Sequence, residues 1–205
     1  MRRPEQSGRR IAHSWDFLHC EGRPTSVGLT RPARPATYGG ETVNAGERSN
    51  AIERYRQGPA ALRAAWESSP PDARQWRPRP GDWTVHEIVA HCADSEVNAY
   101  TRIRMLMAEQ NPPIVGYDQD VWASRFDYHA RPVDSALALV EATHAHTGEL
   151  LTVFTDEDWT RAGIHSERGP YSAEDWLLDY SEHLHEHVRQ IEVLVSAWAA
   201  RASTP

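Results

Sequence analysis

The stretch from residue 172 to residue 200 constrains the fold of this chain more than any other feature. Large side chains recur there every three or four residues, which is the repeat of an α-helix with one buried face. This stripe contains Trp176, Tyr180, His183, His187, Ile191, Leu194 and Trp198. Other elements must cover a long apolar stripe of this kind, and two histidines stand in the middle of the face that is to be covered.

Three further segments show the same helical repeat, and no segment shows the alternation of a β-strand. They cover about residues 47–69, 84–110 and 133–154. Thr84 and Glu87 match a capping box at the start of the second helix. Ser172 and Asp175 resemble one at the start of the last helix. We therefore expect an all-α fold, a four-helix bundle with one long crossover between its second and third helices.

The crossover of about residues 111–132 is long for a connection inside a compact domain, and such segments are commonly functional or locally helical. We expect a short helix within residues 118–128 and a Gly/Pro-rich loop over residues 161–171. Tyr117 and Trp122 of the crossover are candidates to cover a site and contact a substrate, with ordinary packing as the alternative. His165 of the later loop is a third candidate, with an exposed loop position as the alternative.

Residues 1–46 differ from the rest of the chain. They contain Arg, Gly, Pro and Thr without apolar periodicity and hold six of the twelve glycines, a composition typical of disordered segments. We interpret them as a disordered basic arm that precedes a bundle domain of residues 47–200. The alternatives are a tail that docks a partner and a biological start further downstream.

The charge of the chain excludes some classes of function. The net charge is −7 with histidine neutral, and all 22 basic residues are Arg. The acidic excess lies after residue 50, and an acidic body repels a phosphate backbone, so we expect no nucleic-acid partner. No run approaches the roughly 18 apolar residues of a membrane span. We therefore expect no contact with a membrane, and no signal peptide, because no apolar segment follows the N-terminal arginines.

The cysteines point to a reducing compartment. Cys20 and Cys92 form neither a CxxC motif nor an even framework, which argues against a disulfide scaffold and against a thiolate zinc site. We therefore expect a cytoplasmic protein. Cys92 follows His91 directly but lies about 100° away around the helix, and we interpret it as a small buried residue rather than a nucleophile.

A second stripe that contains a histidine lies in the second predicted helix. It contains Ile88, His91, Ser95, Ala99, Ile103 and Leu106. His183 and His187 are one helical turn apart and can point at one ion, and His91 from a facing helix completes three nitrogen ligands. Three protein ligands with open positions are typical of catalytic metal sites. Nitrogen donors favour a divalent transition metal, zinc or nickel, over calcium or magnesium.

Ordinary buried histidines are the alternative to a metal site. Each ring would then bond a carbonyl or a carboxylate, because an unpaired buried polar group costs roughly 1–3 kcal/mol. There is no HExxH motif, and His185 falls on the other side of its helix, where we expect it to face solvent. We assign Asp94 and Glu96 to a solvated helix face, with a role in orienting a ligand or as a base as the alternative. We assign His144 an ordinary structural role.

At these residues the chain resembles a known family. The segment from Trp83 to Glu96, WTVHEIVAHCADSE, is similar to the second-helix motif of the DinB-like, YfiT-like metalloenzymes. The segment from His183 to Ile191, HLHEHVRQI, resembles the closing H-x-x-x-H-x-x-Q-I helix of that family. The resemblance covers about residues 48–200, and both motifs come in the family's helix order.

The resemblance implies a four-helix bundle, frequently a homodimer, and a divalent metal held by His91, His183 and His187. The best-understood members are bacillithiol S-transferases and mycothiol-dependent maleylpyruvate isomerases. It therefore implies a small-molecule substrate and a low-molecular-weight thiol, and we expect a metal-dependent enzyme of the thiol S-transfer type. The alternatives are a metal-dependent hydrolase, a non-catalytic binding or stress-response bundle that a structural metal stabilises, and an interaction domain without a metal.

Overall fold

The computed structural model describes residues 43–201. Except for its last four residues, the predicted arm of residues 1–46 lies outside the described residues, and so does Cys20. Asn44 caps the first helix, which begins at Ala45, two residues before the predicted start of the bundle.

Four long helices form the body of the molecule, and the prediction of a four-helix bundle is confirmed. They are α1 (Ala45–Ser68), α3 (Val85–Ala108), α5 (Val133–Leu151) and α7 (Ala173–Ala200). Short helices α2 (Pro71–Arg74), α4 (Gln119–Arg125) and α6 (Asp156–Thr160) and a 3-10 turn (Tyr128–Ala130) connect them. Helix α1 packs against α5 and α7, and α3 packs against the same two helices. No described helix combines the length and the apolar character that a membrane span needs.

Both predicted capping boxes are present and fix where the two histidine-bearing helices begin. At the start of α3, the hydroxyl of Thr84 accepts from the backbone N–H of Glu87 at 3.1 Å, and the carboxylate of Glu87 accepts from that of Thr84 at 2.8 Å. Ser172 and Asp175 make the same pair of bonds at the start of α7. A fixed helix start sets the direction of every later side chain, including that of His91.

A small three-stranded sheet accompanies the helices, although no segment of the sequence shows the alternation of a β-strand. Strand β1 (Pro113–Ile114) pairs in parallel with β2 (Ala162–His165), which pairs antiparallel with β3 (Gly169–Ser172). The predicted loop of residues 161–171 is therefore mostly a hairpin, and His165 ends one of its strands. Strands of two to four residues are too short for alternation to show in the sequence.

The bundle core consists of two apolar clusters separated by polar residues. One cluster contains Leu62, Ile88, Val140, Leu184 and Ile191, among others, and the other contains Tyr55, Ile103, Leu151, Trp176 and Leu177, among others. The polar residues between the clusters, which we call the central polar layer, are His91, Ser95, Glu96, His144, His183 and His187, all of them buried. The layer therefore lies at mid-height of the bundle, where the sequence analysis predicts the candidate metal site.

The sheet makes a prediction about stability. A Cβ atom added at Gly163 would lie 2.3 Å from the carbonyl oxygen of Pro112, so Gly163→Ala must break the contact between β1 and β2. We expect a loss of roughly 1–3 kcal/mol in the free energy of unfolding, measured by urea denaturation. In the control Gly148→Ala, the three atoms nearest the new Cβ belong to the exposed, flexible side chain of Arg56, at 3.2 to 3.9 Å. That variant should be neutral or slightly stabilising, and equal losses in both variants would contradict the assigned role of the sheet.

Candidate metal centre

Two histidines of α7 lie on adjacent turns and face α3. The ring centroids of His183 and His187 are 4.7 Å apart and their Nε2 atoms 3.2 Å apart. Only 3% and 7% of their surface is exposed. The helical repeat places both rings on the face that also carries Trp176 and Tyr180, as the apolar stripe predicts.

His91 of α3 completes a cluster of three buried imidazoles, called here the three-His cluster. Its ring centroid lies 5.0 Å from that of His187 and 5.8 Å from that of His183. One nitrogen of each ring can be chosen so that all three lie within 4.8 Å of one another. The structure thus brings together the three histidines that the sequence proposes as metal ligands. Their role as ligands stays a prediction.

Hydrogen bonds behind the rings decide which nitrogen faces the cluster. Nδ1 of His183 lies 2.6 Å from a carboxylate oxygen of Glu96, and Nδ1 of His187 lies 2.9 Å from the amide oxygen of Gln190. Both oxygens accept hydrogen bonds, so each Nδ1 donates its proton. The two Nε2 atoms then face each other 3.2 Å apart. A cation bound between them would have both nitrogens as ligands.

Burial favours the neutral form of two of the rings. It lowers the pKa of His91 well below the usual 6.5, and the neighbouring His187 and His183 lower it further. Burial also lowers the pKa of His187 to about 3, with a further contribution from His183, partly offset by the bond to Gln190. A neutral imidazole is the form that binds a metal, so these rings need not lose a proton at neutral pH.

Glu96 places a negative charge against the cluster. Burial raises the pKa of this carboxyl group, but the imidazoles of His144 and His183 outweigh that effect and lower it to about 2. The group therefore stays ionised at neutral pH, although only 1% of its surface is exposed. A buried anion next to these imidazoles favours a cation at the cluster.

The donor set fits a divalent transition metal. The 3.2 Å between the Nε2 atoms of His183 and His187 suits two ligands of one ion, since zinc binds imidazole nitrogen at about 2.0–2.1 Å. Nδ1 of His91 is buried, and no described residue accepts or donates a hydrogen bond there. Buried polar atoms are normally paired, so the His91 ring also suits a ligand that the protein residues do not provide.

The crossover is tied to the cluster through Trp83. The indole of Trp83 packs edge-on against His91, with 5.0 Å between the ring centroids, and its Nε1 donates to Asp120 of α4 at 3.1 Å. Trp83 also contacts the ring of Tyr128 at 6.4 Å, and the Tyr128 hydroxyl donates to Asp94 of α3. These contacts hold the crossover over the side of α3 that carries His91.

Two of the predicted substrate contacts lie in this crossover. Tyr117 and Trp122 are half-buried and pack together, with 4.4 Å between their ring centroids, and Trp122 also meets Phe126 at 5.6 Å. They belong to the same segment as Asp120, which is bonded to Trp83. Contact of these two rings with a substrate stays a prediction.

The third predicted substrate contact, His165, is not an exposed loop residue. It ends β2 and has only 4% of its surface exposed, with its ring 5.5 Å from that of Tyr171. Burial lowers its pKa to about 4, and the charges of Arg102 and Arg168 lower it further. His165 is therefore neutral at neutral pH, and its contact with a substrate also stays a prediction.

The sequence analysis missed two residues of the central polar layer. The expected solvated position of Glu96 is wrong, because it is buried between α3, α5 and α7. His144 of α5 is also buried, with Nε2 2.9 Å from the second carboxylate oxygen of Glu96. The signal that singled out His91 is present for both residues. Glu96 interrupts the stripe Val89, Cys92, Ala99, and His144 interrupts the stripe Leu137, Val140, Leu151.

Other expectations have mixed outcomes. His185 does not face solvent but is half-buried against α1, where its Nε2 donates to the carbonyl oxygen of Arg54 at 3.0 Å. Cys92 is buried as predicted, and burial raises the pKa of its thiol. Asp94 is half-buried and bonds Tyr128, so it too departs from the expected solvated face.

Comparison with known proteins identifies the family to which this chain belongs. The model of the DinB superfamily matches residues 54–191, which include all three histidines of the cluster. The chain belongs to the DinB superfamily. The resemblance that the two histidine motifs carry is thereby confirmed.

Relatives within the DinB superfamily have names that refer to metal chemistry. The chain is 36% identical over 116 residues to a protein of Oceanobacillus iheyensis named "Putative metal-dependent hydrolase", covering 57% of this chain and 67% of the relative. It is 29% identical over 174 residues to "Putative metal-dependent hydrolase YfiT" of Bacillus subtilis, covering 83% of this chain and 96% of the relative.

A solved structure of the Bacillus subtilis protein YfiT is similar to this fold. The TM-score is 0.73 at 27% sequence identity, and the match covers 80% of this chain and 94% of that one. That structure is described as "a probable metal-dependent hydrolase with an unusual four-helix bundle topology". The bundle of this DinB-superfamily chain is thus shared with a solved relative.

The lowered pKa values predict how stability depends on pH in the metal-free protein. Above pH 6.5 the imidazoles of His91 and His187 are neutral in both the folded and the unfolded chain. As the pH falls from about 6.5 toward 3, the unfolded chain takes up protons that the folded chain does not. The free energy of unfolding should therefore fall, by at most about 1.4 kcal/mol per pH unit for each histidine.

Urea denaturation in the presence of a chelator, at several values between pH 7 and pH 4, measures this dependence. His165, whose pKa is also lowered, contributes in the same direction in both proteins. His187→Leu removes one of these groups, so its stability should fall less steeply over the same range. Identical slopes for the two proteins would contradict the assigned pKa of His187.

Proposed function

We propose that this chain is a metal-dependent enzyme in which His91, His183 and His187 bind one divalent transition metal, zinc or nickel. The observation that carries the proposal is the three-His cluster, whose potential ligand atoms lie within 4.8 Å of one another in the buried core. The ionised carboxylate of Glu96 next to the cluster supports it. So do the Nδ1 hydrogen bonds of His183 and His187, which place both Nε2 atoms on the side of the cluster.

A metal held by three protein nitrogens acts as a Lewis acid with open positions and lowers the pKa of a water or thiol bound to it. The residues of the chain position the ligands and the reactants. Glu96 orients His183, and Gln190 orients His187. The hydroxyl of Ser95 lies 3.3 Å from Nε2 of His183 and is a hydrogen-bond donor at the edge of the cluster. Trp83 shields His91 from solvent.

We propose hydrolysis of a small-molecule substrate as the reaction class. The names of the two relatives and the description of the solved YfiT structure support this choice over the alternatives. In this proposal the substrate lies under the crossover, with Tyr117 and Trp122 as its aromatic contacts and His165 nearby as a neutral imidazole.

Thiol S-transfer is the second candidate and rests on the resemblance of the motifs to known thiol-dependent enzymes. It needs an external low-molecular-weight thiol. Cys92 is the only cysteine among residues 43–201; it is buried, and burial raises the pKa of its thiol. An external thiol and a water would use the same open metal position, so one set of assays separates the two reactions.

The cobalt-loaded, untagged protein tests the proposal. We expect azide or a thiol to shift its visible absorption spectrum, because the three-His site leaves positions open to exogenous ligands. We expect metal-dependent turnover of a panel of esters and amides, lost in His183→Ala and retained in His185→Ala, which changes the neighbouring histidine of the same helix. Turnover that requires an added thiol would assign S-transfer instead. An unshifted spectrum without turnover would indicate a closed structural metal and contradict the enzyme proposal.

A further inference from the structure

A chain of buried polar contacts behind the three-His cluster links all four long helices. Glu96 of α3 has one carboxylate oxygen 2.6 Å from Nδ1 of His183 in α7. Its other oxygen lies 2.9 Å from Nε2 of His144 in α5. On the far side of His144, Nδ1 donates to the carbonyl oxygen of Tyr55 in α1 at 3.0 Å.

The side chains that make these contacts are tightly enclosed. The side chain of Glu96 is fully buried, and those of His144 and His183 are 2% and 3% exposed. The ring of Tyr55 stacks on His144 with 3.9 Å between centroids and an angle of 11° between the ring planes. The Tyr55 ring also contacts Trp176 at 5.5 Å. One carboxylate oxygen therefore bonds His183, and the other is enclosed against the His144 ring.

The contact with Glu96 determines which ring nitrogen of His183 faces the cluster. A carboxylate at Nδ1 fixes both the tautomer and the plane of the ring, and Nε2 then faces His187. A carboxylate that accepts from one imidazole nitrogen also makes the other nitrogen a stronger donor to a metal. The His144 ring, fixed by its stacking on Tyr55, lies 2.9 Å from the second oxygen and leaves the carboxylate little space to turn away.

We propose that Glu96 is a positioning residue for His183 and that His144 clamps Glu96 in place, so that together they set the affinity of the three-His cluster for its metal. The inference rests on the proposed function, since it requires a metal at that cluster. Buried carboxylate–imidazole contacts with a purely structural role would stabilise the fold and leave metal affinity and ligand geometry unchanged. The two roles therefore differ in what a metal titration measures.

Zinc affinity of the full, untagged chain, measured by competition with a chromophoric chelator, tests the proposal. We expect Glu96→Gln to bind zinc 10- to 100-fold more weakly than the wild type, the range typical for removing a partner of a metal-ligating histidine. The matched control is Glu87→Gln on the same helix. Glu87 pairs with Arg77 at 2.6 Å, and glutamine can still complete the capping box. We expect wild-type zinc affinity in this control.

The spectrum of the cobalt-loaded protein gives a readout that fold stability alone does not move. We expect Glu96→Gln to change the position or intensity of the visible bands, because His183 becomes a weaker and less fixed ligand, whereas Glu87→Gln keeps the wild-type spectrum. The melting temperature of each metal-free variant shows whether it folds. A second variant, His144→Gln, keeps Glu96 and should weaken zinc binding in the same direction but by less.

The outcomes separate this inference from the proposed function. Wild-type zinc affinity and cobalt spectrum in Glu96→Gln, with a wild type that binds zinc, would overturn the role of Glu96 and leave the metal centre intact. No zinc binding by the wild type would overturn both. If Glu96→Gln does not fold, the His144→Gln variant tests the inference instead. Weaker zinc binding and an altered cobalt spectrum in that variant would support the inference, and unchanged zinc binding would contradict it.

Discussion

The ionised carboxylate of Glu96 between two imidazoles is the interaction on which the middle of this bundle depends. A buried charge is tolerated only when it is paired, and removing one partner of a buried pair typically costs roughly 3–5 kcal/mol. Glu96 is paired with His183 on one side and with His144 on the other. These pairs fix the relative heights of α3, α5 and α7, because a shift of one helical turn would separate them. The apolar clusters above and below the layer add close packing to this register, but their contacts are less directional.

Much of the fold follows from local signals in the sequence. The capping boxes at Thr84 and Ser172 mark the starts of α3 and α7, and the stripes interrupted by His91, His183 and His187 predict which faces meet. The sheet could not be predicted in this way, because its strands have only two to four residues and β1 pairs with a strand about 50 residues away in the chain. Glu96 and His144 were missed for a different reason. Both interrupt an apolar stripe, but a glutamate in a helix is usually exposed and a lone buried histidine usually has a structural role, so the stripe alone did not single them out.

Membership of the DinB superfamily and the geometry of the cluster support the same conclusion by separate routes. The family gives the bundle and relatives named for metal-dependent hydrolysis. The geometry gives buried imidazoles whose hydrogen bonds leave two Nε2 atoms facing each other, with an anion behind them. The crossover then differs in kind from the bundle. Its residues Tyr117 and Trp122 are half-buried, and the segment is tied to the site through Trp83. We therefore expect substrate selection to reside there and metal binding to reside in the helices.

The most direct test of the account is the metal content of the untagged protein, measured by plasma mass spectrometry after reconstitution with zinc or nickel. The account predicts about one metal per chain in the wild type, little or none in His91→Ala and His183→Ala, and wild-type content in His185→Ala. A wild type without stoichiometric metal, or variants of the cluster that keep it, would contradict the central claim that the polar layer of this bundle is a metal centre.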